Sequence, residues 1–211
     1  MDKSVYSVML SDELVGLLDR EAYKNGVSRS AMLDRILGER YSVETLEMQM
    51  DNIFSIMGRL IGVNDGMKFI NGASGYMAAV QSALAYKYNP TVKYSVELFP
   101  SGDLGQLKIS LRSQSETLLS IMETFYEFFI GLEKKHIGER IYGYDGNRFT
   151  RVFLRPDGAT SEEVGKAVAS YVSDFDGYLR IYFSSLGDSD KAFAAIENRY
   201  IKDLRQKEVI L

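Results

Sequence analysis

Residues 4–41, SVYSVMLSDELVGLLDREAYKNGVSRSAMLDRILGERY, constrain this chain more than any other stretch. Ser4 to Leu10 alternate as a half-buried strand does, with Tyr6, Val8 and Leu10 on one face and Val5, Ser7 and Met9 on the other. Ser11 is a natural N-cap, and Asp12 and Glu13 place negative charge where the first helical turn favours it. Leu14, Leu17, Leu18 and Ala22 then recur at helical spacing until Asn25-Gly26 stops the helix. Ser28 caps a second helix with the stripe Ala31, Met32, Leu33, Ile36 and Leu37, closed by Tyr41. A strand and two helices of this length cannot enclose a core, and the strand has no partner inside the segment. Pairing with a second copy is the simplest remedy, and a two-stranded ribbon fits the major groove of DNA.

These residues resemble the ribbon-helix-helix family of bacterial DNA-binding proteins, the Arc, MetJ and CopG type. The likeness rests on Leu10-Ser11-Asp12-Glu13-Leu14, on Gly26-Val27-Ser28-Arg29-Ser30, and on the spacing between them, and it covers residues 1–41 of 211. It implies a homodimer joined through Tyr6, Val8, Leu10, Leu14, Leu33, Ile36 and Leu37. It also implies DNA contact by Lys3, Val5, Ser7 and Met9 from the ribbon, and by Ser28, Arg29 and Ser30 at the second helix start, where free amides suit a phosphate. Val5 and Met9 offer bases only apolar contact with thymine methyls, and Ser7 discriminates little. Residues 1–41 hold six basic and seven acidic groups, so only a local cation such as Arg29 supplies attraction to phosphate.

Composition sets outer bounds. The chain of 211 residues carries a net charge of −4, which gives no support to a nucleic-acid-coating role. It has no cysteine, which removes disulfides, thiolate metal sites and cysteine nucleophiles. No signal-peptide core or run of 18 apolar residues is present, so a cytoplasmic protein with no membrane partner is expected.

Beyond Tyr41, Ser42 is expected to cap a helix to about Ile61. Val43, Leu46, Met50, Ile53, Met57 and Leu60 form a heptad seam that extends the dimer contact or, with Phe54 and Ile61, packs on the chain's own C-terminal domain. Gly62, Gly66, Gly72 and Gly75 punctuate a polar run that reads as a hinge, giving a connector over 42–75. With no preceding strand and no following Lys-Ser/Thr, it is not a phosphate loop. Tyr76 to Tyr88 read as a helix stopped by Asn89-Pro90.

The C-terminal domain, residues 76–211, reads as ββα-ββα with a trailing helix. Its strands are Val92–Phe99, the run through Leu107, Ile109 and Leu111, Arg140–Tyr144 and Arg148–Arg155, the last two turned by Asp145-Gly146-Asn147. Capping boxes at Ser113-x-x-Glu116 and Thr160-x-x-Glu163 open two long helices, and a last helix covers about Asp190 to Gln206. The order fits an internal duplication, although the halves share little residue identity. Residues 178–183 can also be read as a strand, but the helical period runs unbroken from Val164. The fold class is thus α+β, with an antiparallel sheet and helices on one face behind a dimeric β-α-α unit.

Chemistry is sparse. His136 is the single histidine and sits beside Lys134 and Lys135 at a helix end, so no histidine triad or His-rich metal site can form. Phe149, Arg151, Phe153 and Arg155 share one strand face; such interleaving binds single strands, or forms a half-covered amphipathic strand. No enzyme activity, metal or cofactor is expected. The expected function is a homodimeric, sequence-specific DNA-binding protein, a transcriptional regulator of bacterial, phage or plasmid type. Its larger domain would assist assembly or bind a protein or small ligand. The alternative is an interaction protein, antitoxin-like or a DNA-processing accessory factor, in which the N-terminal unit only dimerises.

Overall fold

The computed structural model describes residues 4–63, 66–71, 75–146 and 148–211, with Asn71 described by its backbone only. Among them are six α-helices and a six-stranded antiparallel sheet, so the class is α+β. The chain divides into two compact units, residues 1–52 and 53–211, and the division falls inside a helix that had been read as part of a connector.

In the first unit, α1 (Asp12–Asn25) and α2 (Arg29–Tyr41) form a helical hairpin. Its punctuation follows the sequence. The Ser11 hydroxyl accepts from the Leu14 amide, the Ser28 hydroxyl accepts from the Ala31 amide, and Gly26 closes α1 at φ 65°. Leu18, Ala22 and Met32 bury themselves between the helices, with Leu33 packed against them. The strand expected over Ser4–Leu10 is absent: residues 4–11 have no regular secondary structure. A strand exists through its ladder of hydrogen bonds, and a single copy offers this segment no partner.

Ser42 does not open the next helix. It terminates α2 in the left-handed region at φ 56°, and α3 (Leu46–Ile61) is opened by Thr45, whose hydroxyl accepts from the Met48 amide. The seam, read either as pairing two copies or as packing within the chain, is largely buried in the single copy, as the second reading requires: Met50, Ile53, Phe54, Met57 and Ile61 are all buried. Of the seam, only Val43 and Leu60 stay substantially in water.

The glycine-punctuated stretch is not a hinge between helices. It contains β1 (Met67–Asn71), hydrogen-bonded to β2 (Met77–Ala83), where a helix had been expected over 76–88; Gly72 lies outside the described residues. Alanine-rich MAAVQSA favours helix locally, but β2 is clamped on both sides by β1 and β3 (Thr91–Leu98), and that pairing overrides propensity. Tyr88 and Asn89, at φ 66° and 43°, make the left-handed corner before Pro90. The meander continues to β4 (Gly105–Leu111), then α4 (Glu116–Ile137), the hairpin β5 (Tyr142–Tyr144) and β6 (Arg148–Phe153), α5 (Ser161–Ser184) and α6 (Ser189–Arg205). The chain order β3-β4-α4-β5-β6-α5-α6 is the expected ββα-ββα with a trailing helix, and β1 and β2 extend its four strands to six in the sheet order β1-β2-β3-β4-β6-β5. The helix α4 is capped by Ser115 rather than by a box from Ser113, whereas the Thr160–Glu163 box forms in both directions.

One sheet face is apolar across every strand: the aligned row Phe69, Val80, Tyr94, Ile109, Phe149 and Tyr144 runs edge to edge. Helices α4 and α5 cover it. Phe175 meets Phe129 at 4.7 Å and Phe125 at 5.5 Å between ring centres, and Tyr126 stacks on Phe149 at 4.7 Å. Each such fully buried ring is worth about 1.5–3 kcal/mol of transfer from water. The end of α3 joins the same layer, because Gly165 in α5 admits Ile56 closely and Gly58 admits Phe69. That close approach explains a glycine inside an otherwise regular helix.

Candidate functional site

The N-terminal unit keeps its apolar surface open. Leu14 is 54 % exposed, Leu17 47 %, Ile36 43 % and Leu37 47 %, although all four lie at core-type helical spacing. With Leu10, Leu18, Glu21 and the half-buried Leu33, three of these four residues (Leu14, Leu17 and Ile36) line a depression of about 210 Å³, almost wholly apolar. Tyr6 and Val8 stand at 83 % and 68 % exposed just before it. An isolated exposed leucine needs no explanation, but a contiguous apolar concavity does. Leu17 and Leu18 show the same helical period as Leu14 in sequence; the period alone does not separate the side of α1 facing α2 from the side left open.

The residues expected to read DNA are scattered in state. Lys3 lies outside the described residues. Val5 and Met9 are fully exposed, and Ser7 is exposed. Ser28 is occupied as a helix cap, and Ser30 is exposed on the first turn of α2. Arg29 is committed elsewhere: its Nε and Nη2 donate to the two carboxylate oxygens of Asp19 at 2.6 and 2.7 Å. This two-point hydrogen bond holds the Asp19 carboxyl below its ordinary range and pushes the Arg29 guanidinium up. Ten residues separate the two, so only the folded hairpin brings them together.

The second unit holds a polar cluster that the sequence did not disclose. Glu133 of α4 and Arg151 of β6 are both fully buried. The Glu133 carboxylate accepts from the hydroxyls of Tyr142 at 2.7 Å and Tyr171 at 3.1 Å, and from Arg151 at 3.3 and 3.4 Å. Arg151 also donates to the carbonyls of Val152 and Leu211, each at 2.7 Å. Every strong polar atom is thus engaged, which is the condition for tolerating buried charge. The Phe149-Arg151-Phe153 face expected as a possible nucleic-acid contact is therefore interior. An inward-facing cation between two inward phenylalanines was the available signal, since it demands a buried anion. A second buried link joins Tyr94 to Asp176 at 2.8 Å, and Asp176 to Arg180 at 2.6 Å.

Comparison of the chain with protein-family models, curated proteins and solved structures finds no match. Among the described residues, no cluster of histidine and carboxylate side chains is arranged to hold a metal, and no helix is long and apolar enough to cross a membrane. The largest chemical anomaly is thus the uncovered apolar concavity of the helical hairpin, next to a segment without a pairing partner.

Proposed function

We propose that the chain is a homodimer that binds duplex DNA through its N-terminal unit in the ribbon-helix-helix manner. Residues 4–10 of two copies pair antiparallel only in the dimer, and Tyr6, Val8 and Leu10 turn inward over Leu14, Leu17, Leu33, Ile36 and Leu37. Val5, Ser7 and Met9 then face outward into the major groove, and the Ser28–Ser30 helix starts flank it at the phosphates. Two-fold symmetry makes the bound site palindromic or repeated. The observation that carries this reading is the concavity lined by Leu10, Leu14, Leu17, Leu18, Leu33 and Ile36. A second copy is its natural occupant, because the same surface presents both the apolar face and the unpaired segment 4–10 that would complete it.

The Arg29–Asp19 pair and the apolar outward residues favour a second reading, in which the unit only joins two chains and the larger unit binds a protein. Sedimentation of the purified chain followed by a gel shift with genomic fragments at low salt separates the two. A dimer that retards selected fragments supports DNA recognition; a dimer that retards none supports the second reading; a monomer refutes both.

A further inference from the structure

The sheet face turned away from α4 and α5 carries a charge opposite to that of the chain. Pairing aligns Lys68, Gln81, Lys93, Ser110 and Arg148 in one row across β1, β2, β3, β4 and β6. Lys68, Lys93 and Arg148 are exposed, and among the described residues none of them has an ion-pair partner. In the neighbouring rows, the one carboxylate that the described strands place on this face, Glu97, is already neutralised: Lys108 reaches it at 2.8 Å and Gln106 donates to it at 2.8 Å. A chain of net charge −4 thus gathers uncompensated cations on one open surface.

The row alternates cation and neutral hydrogen-bonder, so no two like charges sit directly opposite, which would destabilise the pairing. With strands about 4.8 Å apart, the three cations stand about 10 Å from one another along a line of about 19 Å. That line matches about six base-pair steps of duplex at 3.4 Å per step. Lysine, arginine, serine, threonine and glutamine are the side chains that contact phosphate and sugar. The strand residues of this face include no aromatic ring, so a single strand would find nothing to stack on. Phosphates on the outside of a duplex need no stacking platform.

We infer that the open sheet face, through Lys68, Lys93 and Arg148, binds the phosphate backbone of duplex DNA and contributes sequence-independent affinity. This rests on the DNA reading above for the identity of its ligand, but on none of its residues. Because each phosphate contact contributes about 0.9 to the slope of log affinity against log salt, removing three per protomer is a measurable change.

The test is an anisotropy titration of labelled random-sequence duplex with the full chain at several salt concentrations. It compares wild type, the triple variant Lys68→Gln/Lys93→Gln/Arg148→Gln, and Arg29→Ala, each checked for native circular dichroism. The triple variant is expected to lose about tenfold or more in affinity at low salt and to flatten the slope by about 2.7 for each protomer engaged. An unchanged slope overturns the inference, and if Arg29→Ala still flattens it, the ribbon-helix-helix reading survives alone. A flattened slope in the triple variant with none in Arg29→Ala leaves the sheet face standing and keeps Arg29 on Asp19 rather than on phosphate. Absence of duplex binding by wild type refutes both. Displacement by polyglutamate at lower concentration than by duplex would assign the face to an acidic polypeptide and overturn the inference.

Discussion

Leu14→Asp tests the dimer most directly. Leu14 is 54 % exposed in the single chain, so the change removes little from the hairpin's own core of Leu18, Ala22 and Met32. Substitutions at such positions usually alter stability by about 0.5 kcal/mol or less. In the proposed dimer both copies of residue 14 lie under the partner's ribbon. Each copy then forfeits roughly half of a leucine's transfer energy, about 1 kcal/mol, and must also bury a carboxylate that has no partner. Counting only about 2 kcal/mol per copy, two copies lose about 4 kcal/mol, which raises the dissociation constant about 10³-fold. Sedimentation equilibrium over a wide concentration range reads the constant, and amide exchange at residues 4–10 reads the ribbon. Wild type is expected to protect those amides and the variant to leave them open, with helical circular dichroism retained at low temperature and the melting temperature lowered by loss of the dimer. A variant that dimerises like wild type, or a wild type that stays monomeric with unprotected residues 4–10, refutes the reasoning.

Asp19→Asn releases Arg29 from its two-point pair, so it should strengthen DNA binding and steepen its salt slope by about 0.9 per protomer, read by the same anisotropy titration. Glu133→Leu strands the fully buried Arg151 without its anion; it should cost about 3–5 kcal/mol and lower the melting temperature of the larger unit by roughly 6–20 °C in calorimetry. Gly165→Val forces a side chain into space where a Cβ alone would stand 3.0 Å from Ile56, and overpacking should cost about 1–3 kcal/mol in denaturant titration. Burial holds the phenols of Tyr94, Tyr126, Tyr142, Tyr171, Tyr178 and Tyr200 above their ordinary value of 10.0. Their contribution is therefore complete below pH 10 and is lost as pH rises beyond it, at up to about 7 kcal/mol per pH unit for the five that are buried, Tyr142 being only partly so. Tyrosinate absorbance should appear together with loss of circular dichroism; gradual titration of a still-folded protein would contradict the burial argument.

Helix ends were the most legible part of the sequence, because a cap is a local transaction between neighbours. Ser11, Gly26, Ser28 and the Thr160–Glu163 box all act where the spacing put them. Alternation identified β3, β4 and β6 for a similar reason: one face is buried and the other is not. β2 escaped because Ala78, Ala79 and Val80 are all buried, so its inward and outward sides look alike in sequence. β1 escaped because glycines flanking a short strand and glycines in a hinge leave the same trace. The polar contacts were illegible for another cause. Asp19 and Arg29 lie ten residues apart, Glu133 and Arg151 eighteen, and Ser82 and Arg180 ninety-eight, distances that only tertiary structure closes. The concavity of the hairpin lies between these extremes: its residues are visible by period, but its openness is a property of one copy standing alone.

The guanidinium of Arg151 has a consequence for the order in which the larger unit becomes stable. All six strands have been synthesised once Phe153 is made, and α4, which bears Glu133, precedes β5 and β6. The Leu211 carbonyl that Arg151 also requires arrives 60 residues later, with Lys207 clasping Asp174 at 3.0 Å on the way. Until then β6, next to the edge strand β5, holds a buried cation short of one acceptor. Residues 207–211 thus act as a latch on a layer built well before them. Cleavage ahead of Lys207 would take an acceptor from Arg151 and so reach β6 from 60 residues away in the chain.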